Sequence, residues 1–368
     1  MKKLHLFLIA SLFCGSSIWA QQNANNIQLG LEKKAQRKNI IIPDIEGFQT
    51  LKGDFHIHTV FSDGLVWPTI RVQECWTEGI DVMAITDHLE YRPHQDFMSK
   101  GHNHSYNLAV NEAQKKNIIL IKASEITRQM PPGHLNALFI NDADTLHQGQ
   151  VDEVFKMVKK QKALMIWNHP GWKAQQPDTC LIYEVHEKLI KEGLIQGMEV
   201  MNYNEWYPIV LQWCIDYNLA VFANSDIHGV SAYTYDVKTA HRPMTLLFAK
   251  ERTQNGVREA IESARTIAWF EQQLAGPEDL IKQLFDASVS LQPAFYTDDK
   301  YQYMEFTNLS DIQFSFSNET IGNGAPDKFV LQPRKTIVIR LDKDAESFKV
   351  TVDNCHTGMF KNLETDLM

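Results

Sequence analysis

Nine histidine, aspartate and glutamate residues are the candidates for chemistry in this chain, because they recur in short polar motifs between residues 56 and 228. Imidazole nitrogens and carboxylate oxygens are ligands of transition-metal ions. A buried charge is costly without a partner, so a set this large is hard to explain as core packing. We interpret the set as ligands of two or three divalent zinc, manganese or iron ions: His56, His58, Asp63, His88, Glu125, His134, His169, Asp226 and His228.

The spacing of the first motif suits a shared ion. His56 and His58 are two residues apart, and on a strand such residues lie on the same face, so both imidazoles can point to one ion. Asp63 follows in a Ser-Asp-Gly turn, where Gly64 permits a bend that returns the carboxylate over the site. We also expect the carboxylates that flank the ligand histidines to orient imidazole N–H groups, namely Asp54 and Asp87.

The elements that must position these residues alternate between strands and helices from residue 53 onward. Strands are predicted at 53–59, 81–87, 117–127, 134–140, 163–168, 197–202, 219–225, 243–249 and 265–270. Helices are predicted at 68–78, 105–116, 151–162, 180–192, 205–217, 255–264 and 277–288. This alternation indicates a parallel α/β fold, and at least seven repeats suit a closed barrel with the site at the carboxyl ends of its strands. A dinucleotide-binding fold is disfavoured because no GxGxxG motif follows the first strand.

The chain divides into four predicted segments. Residues 1–20 resemble a secretory signal peptide, with two lysines, an apolar run and small residues up to Ala20. Residues 21–50 are a polar lead-in, residues 51–289 form the barrel, and 290–368 form a small β-sandwich because short alternating segments are separated there by turn residues. We expect cleavage after Ala20 and a secreted or periplasmic protein. A lipoprotein anchor at Cys14 is disfavoured because Phe13, not a small residue, precedes it.

Charge and hydropathy exclude two classes of partner. The formal net charge of −9 argues against a binder of duplex nucleic acid, which needs a basic face. After residue 20, no apolar stretch reaches the roughly 18 residues that a membrane span needs. The cysteines of the mature chain have no CxxC spacing, so disulfides and buried free thiols both stay open for Cys75, Cys180, Cys214 and Cys355.

The motifs also occur in a recognisable order. HIHTVFSDG at 56–64, TDH at 86–88, Glu125, a mid-chain histidine, NHP at 168–170 and SDIH at 225–228 together resemble the polymerase and histidinol phosphatase (PHP) superfamily of metal-dependent phosphoesterases. The stretches FSDGLVWP, DHLEYRPH, EITRQMPPGH and WNHPGW are similar to its secreted bacterial phosphodiesterase branch, which also carries a small C-terminal β domain. The resemblance implies a distorted (β/α)7 barrel with a trinuclear metal site.

The resemblance also implies how the ligands are shared. One ion would be held by His56, His58, Glu125 and Asp226. A second would be held by Glu125, His134 and His169, and a third by Asp63, His88 and His228. Glu125 would then bridge two ions, and His134 could contact the phosphate instead.

The expected reaction is hydrolysis of a small phosphate ester, most readily a diester, by a hydroxide that the ions activate. A general acid at the leaving oxygen would help, and His134 and His228 are the candidates for it. Arg92 and Arg128 follow ligand-bearing strand ends and could bind phosphate oxygens with their planar forks, although surface salt bridges explain them equally well.

Aromatic residues near two of the motifs predict a rim around the site: Trp167, Trp172, Tyr203, Trp206 and Tyr207. They indicate an organic substituent larger than phosphate, or ordinary packing of helices on the barrel.

Three other functions compete with this prediction. A phosphomonoesterase would use the same metals, so the sequence separates it poorly from a phosphodiesterase. A non-catalytic, metal-containing protein that binds glycan or cell envelope is disfavoured because every ligand position holds a competent residue. Amide or lactone hydrolysis would require a carboxylated lysine or another histidine spacing, and the sequence has neither.

Overall fold

Short apolar segments form the strands of the barrel sheet. In this computed structural model they are β1 (Gln49–Asp54), β2 (Val82–Ile85), β3 (Ile119–Thr127), β4 (His134–Leu138), β5 (Leu164–Trp167), β6 (Ile195–Asn202), β7 (Glu205–Trp206), β8 (Ala220–Asn224), β9 (Met244–Ala249), β10 (Thr266–Phe270) and β11 (Gln273–Ala275). The structure describes residues 35–147, 149–320 and 322–368, and residues 37–368 form one unit. The predicted signal peptide, Cys14 and residues 21–34 of the lead-in lie outside the described residues.

Helices pack around these strands. They are α1 (Pro68–Thr77), α2 (His104–Lys116), α3 (Val151–Gln161), α4 (Glu184–Lys191), α5 (Pro208–Asp216), α6 (Ser231–Thr234), α7 (Gln254–Glu262) and α8 (Glu278–Ser288). Proline occupies the first position of α1 and α5, where its missing N–H costs nothing. Among the described residues, no helix is long and apolar enough to cross a membrane.

The direction of the strands differs from the prediction of a parallel sheet. β1, β2 and β3 are parallel, as are β5, β6 and β8, but β4 runs antiparallel to β3 and β5. β9 also runs antiparallel to β1 and β10. Only residues 128–133 connect β3 to β4, and a parallel return needs a crossover of about a dozen residues or more. The sheet is therefore mixed, and β4 begins at the edge where β3 ends.

Threonine side chains join β8 to its neighbours where the sheet closes. The backbone N–H of Val221 donates to Oγ1 of Thr266 at 2.7 Å, and that of Ala223 donates to Oγ1 of Thr245 at 3.0 Å. Buried polar backbone groups need such partners. The result is a distorted (β/α)7 barrel, as predicted.

The first ligand-bearing strand is shorter than predicted at its carboxyl end. The predicted strand 53–59 contains the two histidines, whereas β1 ends at Asp54. His56 and His58 follow it in an irregular segment, on either side of Ile57, which forms a bridge to Ile227. The alternation of the two side chains therefore depends on this bridge between two loops and not on a regular strand.

The C-terminal residues form two further sheet layers. Their strands are β12 (Val289–Leu291), β13 (Tyr296–Thr297), β14 (Tyr301–Asn308), β15 (Phe314–Asn318), β16 (Lys328–Leu331), β17 (Thr336–Asp342), β18 (Lys349–Gly358) and β19 (Lys361–Asp366). β12, β13 and β17 pair with β14 in one layer, while β15, β16, β18 and β19 form the other. β18 also pairs with β11, so the barrel sheet continues into the predicted β-sandwich.

The cysteines of the described ranges are free thiols. Cys75, Cys214 and Cys355 are buried in the apolar core, and Cys180 is half-buried.

Candidate metal centre

All nine predicted ligands converge at one edge of the barrel. They fall into four overlapping groups, and within each group the ligand atoms lie within 4.8 Å of one another. The groups are His58, Asp63, His88 and His228; His56, His58 and Glu125; His56, His169 and Asp226; and Glu125, His134 and His169. Because the groups overlap, one carboxylate or imidazole can belong to two candidate cation sites.

Two carboxylates form the middle of the cluster, that of the buried Glu125 and that of the partly exposed Asp226. Oδ1 of Asp226 lies 3.1 Å from Nε2 of His56 and 3.1 Å from Nε2 of His58. Oε2 of Glu125 lies 3.6 and 3.5 Å from the same two nitrogens. Its other oxygen, Oε1, lies 2.9 Å from Nδ1 of His134. Glu125 therefore faces two groups of ligands, as expected of a bridging residue.

A third carboxylate, that of Asp63, lies beside two further histidines. Oδ1 of Asp63 lies 3.2 Å from Nε2 of His228 and 3.4 Å from Nε2 of His88. The turn that carries it passes very close to the first motif, because a Cβ on Gly64 would lie only 2.7 Å from the carbonyl carbon of His58. A side chain at this position would push the turn away, so the glycine is required by close approach.

Two ligands have strained backbones. His169 and Asp226 have φ angles of 29° and 50°, in the left-handed region that non-glycine residues seldom adopt. Each lies two residues after the end of a parallel strand, β5 or β8. Such strain persists where the surrounding structure imposes it, and it is concentrated at functional sites.

The donor atoms are of the types that bind divalent cations, and several of them are buried without a hydrogen-bond partner. Within the described part of the chain, no hydrogen-bond partner is found for five buried ligand atoms: Nε2 of His56, Nε2 of His58, Oδ1 of Asp63, Oε2 of Glu125 and Oδ1 of Asp226. Although some of these atoms are close to one another, the contacts lack hydrogen-bond geometry. Leaving several buried polar atoms unpaired costs about 1–3 kcal/mol each. Divalent cations would satisfy all five.

The charges within the cluster shift the pKa values of its carboxylates and imidazoles. Burial raises the pKa of Glu125, but the imidazoles of His88 and His134 outweigh burial and hold this pKa well below its ordinary value. Burial lowers the pKa of His88, but Glu125 and Asp63 outweigh it and raise the pKa to about 10. Burial and two neighbouring imidazoles lower the pKa of His58 to about 3. The carboxylates are therefore ionised and His58 is neutral, as metal ligation requires.

A solved structure from Bacteroides vulgatus is similar to this chain over nearly its whole length. It is described as a two-domain protein containing a predicted PHP-like metal-dependent phosphoesterase. The two chains are 39% identical, the match covers 91% of this chain and 99% of the other, and the TM-score is 0.88. This chain belongs to the PHP superfamily of metal-dependent phosphoesterases.

Other comparisons add the second domain and more distant folds. Residues 289–368 match a family of Ig-like domains. A proposed metal-dependent phosphoesterase from Bifidobacterium adolescentis and an amidohydrolase from Chromobacterium violaceum are 16% and 12% identical, with TM-scores of 0.39 and 0.38; each match covers 48% of this chain and 87% of the other. No curated protein matches the chain.

A buried glutamate that the sequence analysis missed holds two of the candidate ligand residues in position. Oε1 of Glu199 lies 2.8 Å from Nδ1 of His56, so the imidazole N–H donates to it and Nε2 faces the cluster. The other oxygen accepts from the backbone N–H of His169 at 2.7 Å. Asn202 and Asn224 also donate to this carboxylate. The signal in the sequence was a single charged residue inside the apolar strand IQGMEVMN.

The two aspartates predicted to orient imidazoles have other partners, so that prediction is wrong. Asp54 accepts from the hydroxyl of Ser225 at 2.6 Å and pairs with the buried Arg242. Asp87 accepts from the backbone N–H and the hydroxyl of Thr59, both at 2.7 Å. Both carboxylates accept backbone N–H groups of the loops that carry the candidate ligands, and so they help to fix the path of those loops.

Neither predicted phosphate-binding arginine lines the cavity above the ligands. The guanidinium of Arg92 donates to the backbone carbonyls of Phe61, Ser99 and Lys100, which anchors its loop. Arg128 pairs with Glu90 at 2.9 Å, which corresponds to the salt-bridge alternative. Both side chains are thus held by groups outside the cavity, and the structure does not bring them to the ligands.

A cavity of about 720 Å³ lies over the cluster of candidate ligands. Of the five predicted rim aromatics, Trp172 and Tyr203 line it, together with Tyr91, which the sequence analysis did not select. The other three have different surroundings. Trp167 is buried and stacks on His186, Trp206 stacks on His356, and Tyr207 is buried and donates to Glu205.

Proposed function

We propose that this PHP protein hydrolyses phosphate diesters with two or three divalent ions, zinc, manganese or iron, held by the nine ligands. The observation that supports this most strongly is the set of five unpartnered buried ligand atoms beneath an open cavity. Similarity to a phosphoesterase over 91% of the chain supports the reaction class.

The charge of the cavity favours a diester over a monoester. None of the described residues that line the cavity is a lysine or an arginine, and four of them are carboxylates: Asp63, Glu125, Glu205 and Asp226. The ions are then the main positive charge available to the phosphate. A diester brings one negative charge and a monoester up to two, so the diester meets less repulsion from the carboxylates.

The residues of the chain have distinct tasks in this reaction. Ions held in the cluster would supply Lewis acidity at the phosphoryl oxygens and a water of lowered pKa. His134 and His228 both line the cavity, and as ligands they would act at the leaving oxygen through the ion that they hold and not as proton donors. The Nδ1–H of His228 donates to the backbone carbonyl of Asp226 at 2.8 Å, which fixes the tautomer and turns Nε2 toward the cluster.

The proposal includes the location and division of the chain. We propose that residues 1–20 are removed as a signal peptide and that the mature protein is secreted or periplasmic. We further propose residues 51–289 as the catalytic domain and 290–368 as an accessory β domain. The wider similarity of the motifs to the secreted phosphodiesterase branch supports this arrangement.

A substrate pair tests the proposal. The mature protein, loaded with Mn²⁺, Fe²⁺ or Zn²⁺, is assayed with bis(p-nitrophenyl) phosphate and with p-nitrophenyl phosphate. We expect kcat/KM for the diester to exceed that for the monoester by about tenfold or more, which corresponds to about 1.4 kcal/mol. Asp226→Asn should abolish the activity, whereas Asp216→Asn, on the exposed side of α5, should not change it.

Two results would contradict the proposal. A preference for the monoester would assign the protein as a phosphomonoesterase. No turnover of either ester by protein that contains metal would favour the non-catalytic alternative.

A further inference from the structure

Three large aromatic side chains are exposed on the wall of the cavity. Tyr91, Trp172 and Tyr203 have 55%, 39% and 45% of their surface exposed, and all three line the cavity. An aromatic side chain contributes most to stability when it is buried, so a group of exposed rings around one cavity marks a binding surface.

Two of these rings contact the metal ligands directly. The ring centre of Trp172 lies 5.2 Å from that of His169 and 5.8 Å from that of His134. The ring centre of Tyr91 lies 6.0 Å from that of His88. The two rings therefore flank different parts of the cluster, close enough to touch a substituent of an ester bound there.

The backbone holds the rings in place without covering them. The N–H of Trp172 donates to the carbonyl of His169 at 2.9 Å, and its own carbonyl accepts from Gln176 at 2.9 Å. Tyr203 has a φ of 53°, and its N–H donates to the carbonyl of Asn224 at 3.1 Å. Because the backbone of both residues is fixed, only the side-chain torsions of these rings need to be ordered when a ligand binds, which limits the entropic cost of binding.

The polar groups beside the rings are neutral or acidic. Asn204 and Thr234 line the same cavity, and so does Glu205, whose carboxylate accepts from the hydroxyl of Tyr207. Since the described lining contains no lysine or arginine, a second phosphate or a carboxylate on the substrate would meet Glu205 without a balancing cation. The surface suits a ligand that is planar, apolar on its faces and uncharged.

We infer that Trp172, together with Tyr91 and Tyr203, binds a planar, uncharged aromatic substituent of the phosphate ester. This inference rests on the proposed diester hydrolysis and names the substituent that the diester carries. The face of an aromatic group stacks on the indole, while the phosphate lies over the metal ligands a few ångströms away. Trp172 is thereby a specificity-determining residue.

Two diesters that differ in one substituent test the inference. Phenyl p-nitrophenyl phosphate and methyl p-nitrophenyl phosphate have the same charge and the same leaving group, so their ratio of kcat/KM reports the contribution of the phenyl ring. We expect the metal-loaded protein to prefer the phenyl ester by about tenfold, within the range that stacking on an aromatic side chain provides. Trp172→Ala should reduce this ratio to near unity, and Trp172→Phe should retain most of it.

A matched tryptophan and a second ring complete the design. Trp67 is 43% exposed and lies outside the described lining of the cavity, so Trp67→Ala should leave the ratio unchanged. Tyr91→Ala should lower the ratio by a smaller factor, and it keeps the inference testable if Trp172→Ala does not fold. Metal content and circular dichroism identify a variant that has lost its structure.

The outcomes separate this inference from the proposed function. A ratio near unity in the unsubstituted protein, or a ratio that neither Trp172→Ala nor Tyr91→Ala changes, would overturn the inference and leave diester hydrolysis standing. If the metal-loaded protein hydrolyses neither diester, the proposed function itself fails.

Discussion

Protons and metal ions compete for the same histidine nitrogens in this cluster. Burial lowers the pKa of His56, but the carboxylates of Asp226, Glu199 and Glu125 outweigh it and raise the pKa well above its ordinary value. His88 behaves in the same way, with a pKa of about 10. A raised pKa means that both imidazoles are protonated at pH 7 without metal, whereas a ligand imidazole must be neutral.

Metal binding should therefore release protons. We expect about one proton or more per ion at pH 7, and a metal affinity that rises about tenfold per pH unit for each proton released. Titration calorimetry of Mn²⁺ or Zn²⁺ in buffers of different ionisation enthalpy measures this number. His88→Gln should release fewer protons, and the exposed His147→Gln should match the unsubstituted protein. A binding enthalpy that does not depend on the buffer would contradict this account.

The sequence predicts which residues can bind metal, because that property depends on the type of side chain alone. The nine candidate ligands could be selected from the sequence because few other side chains bind such metals, and the structure brings all nine together; that they bind ions stays a prediction. The partners of a carboxylate are a property of the fold. Asp54 and Asp87 adjoin ligand histidines in sequence yet contact neither imidazole, while Glu199 contacts His56 from 143 residues away.

At the scale of elements, one helix joins the two loops that carry most of the ligands. Arg71 of α1 is fully buried, and its guanidinium donates to the carbonyls of His58, Ile227, His228 and Gly229 at 2.7–3.1 Å. The planar fork of arginine can reach several acceptors at once. Arg71 thereby fixes the first histidine motif relative to the loop of Asp226, although it contacts no ligand side chain.

Replacing Arg71 should weaken metal binding without removing a ligand. Arg71→Met leaves several buried carbonyls without a donor, and each costs about 1–3 kcal/mol. We expect a lower melting temperature and a lower metal content after dialysis, with partial recovery of diester hydrolysis in excess Mn²⁺. Lys191→Met is the control, because Lys191 is exposed and pairs only with Glu187 on the surface of α4, so its loss should change stability little. Full metal content in Arg71→Met would argue against the role.

The positions of most elements followed from periodicity, but their directions did not. The predicted strand at 134–140 corresponds to β4, yet its antiparallel direction depends on the short connection from β3 and on pairing that only the folded chain has. Because β4 is antiparallel, His134 at its start lies opposite Thr127 at the end of β3. This pairing places a histidine from the beginning of a strand among ligands from the ends of others.

At the scale of the whole molecule, the barrel and the C-terminal β domain share one core. The sequence pattern changes near residue 289, which made a second domain predictable, but side-chain packing between the two parts has no periodic signal. Phe285 of α8 is buried with its ring centre 5.2 Å from that of Phe314 and 6.0 Å from that of Phe316. The same apolar cluster includes Ile267 and Trp269 of the barrel strand β10.

A shared core predicts that the two parts unfold together. We expect a single calorimetric transition for the full chain, because neither part can lose its structure without exposing the apolar face of the other. Phe285→Ala should cost about 3–5 kcal/mol and lower the midpoint of the whole transition by about 5 °C. Phe360→Ala is the control, since this phenylalanine is 91% exposed at the turn between β18 and β19 and should have little effect. Two separate transitions, or a Phe285→Ala variant in which only one of two moves, would show that the two parts unfold independently.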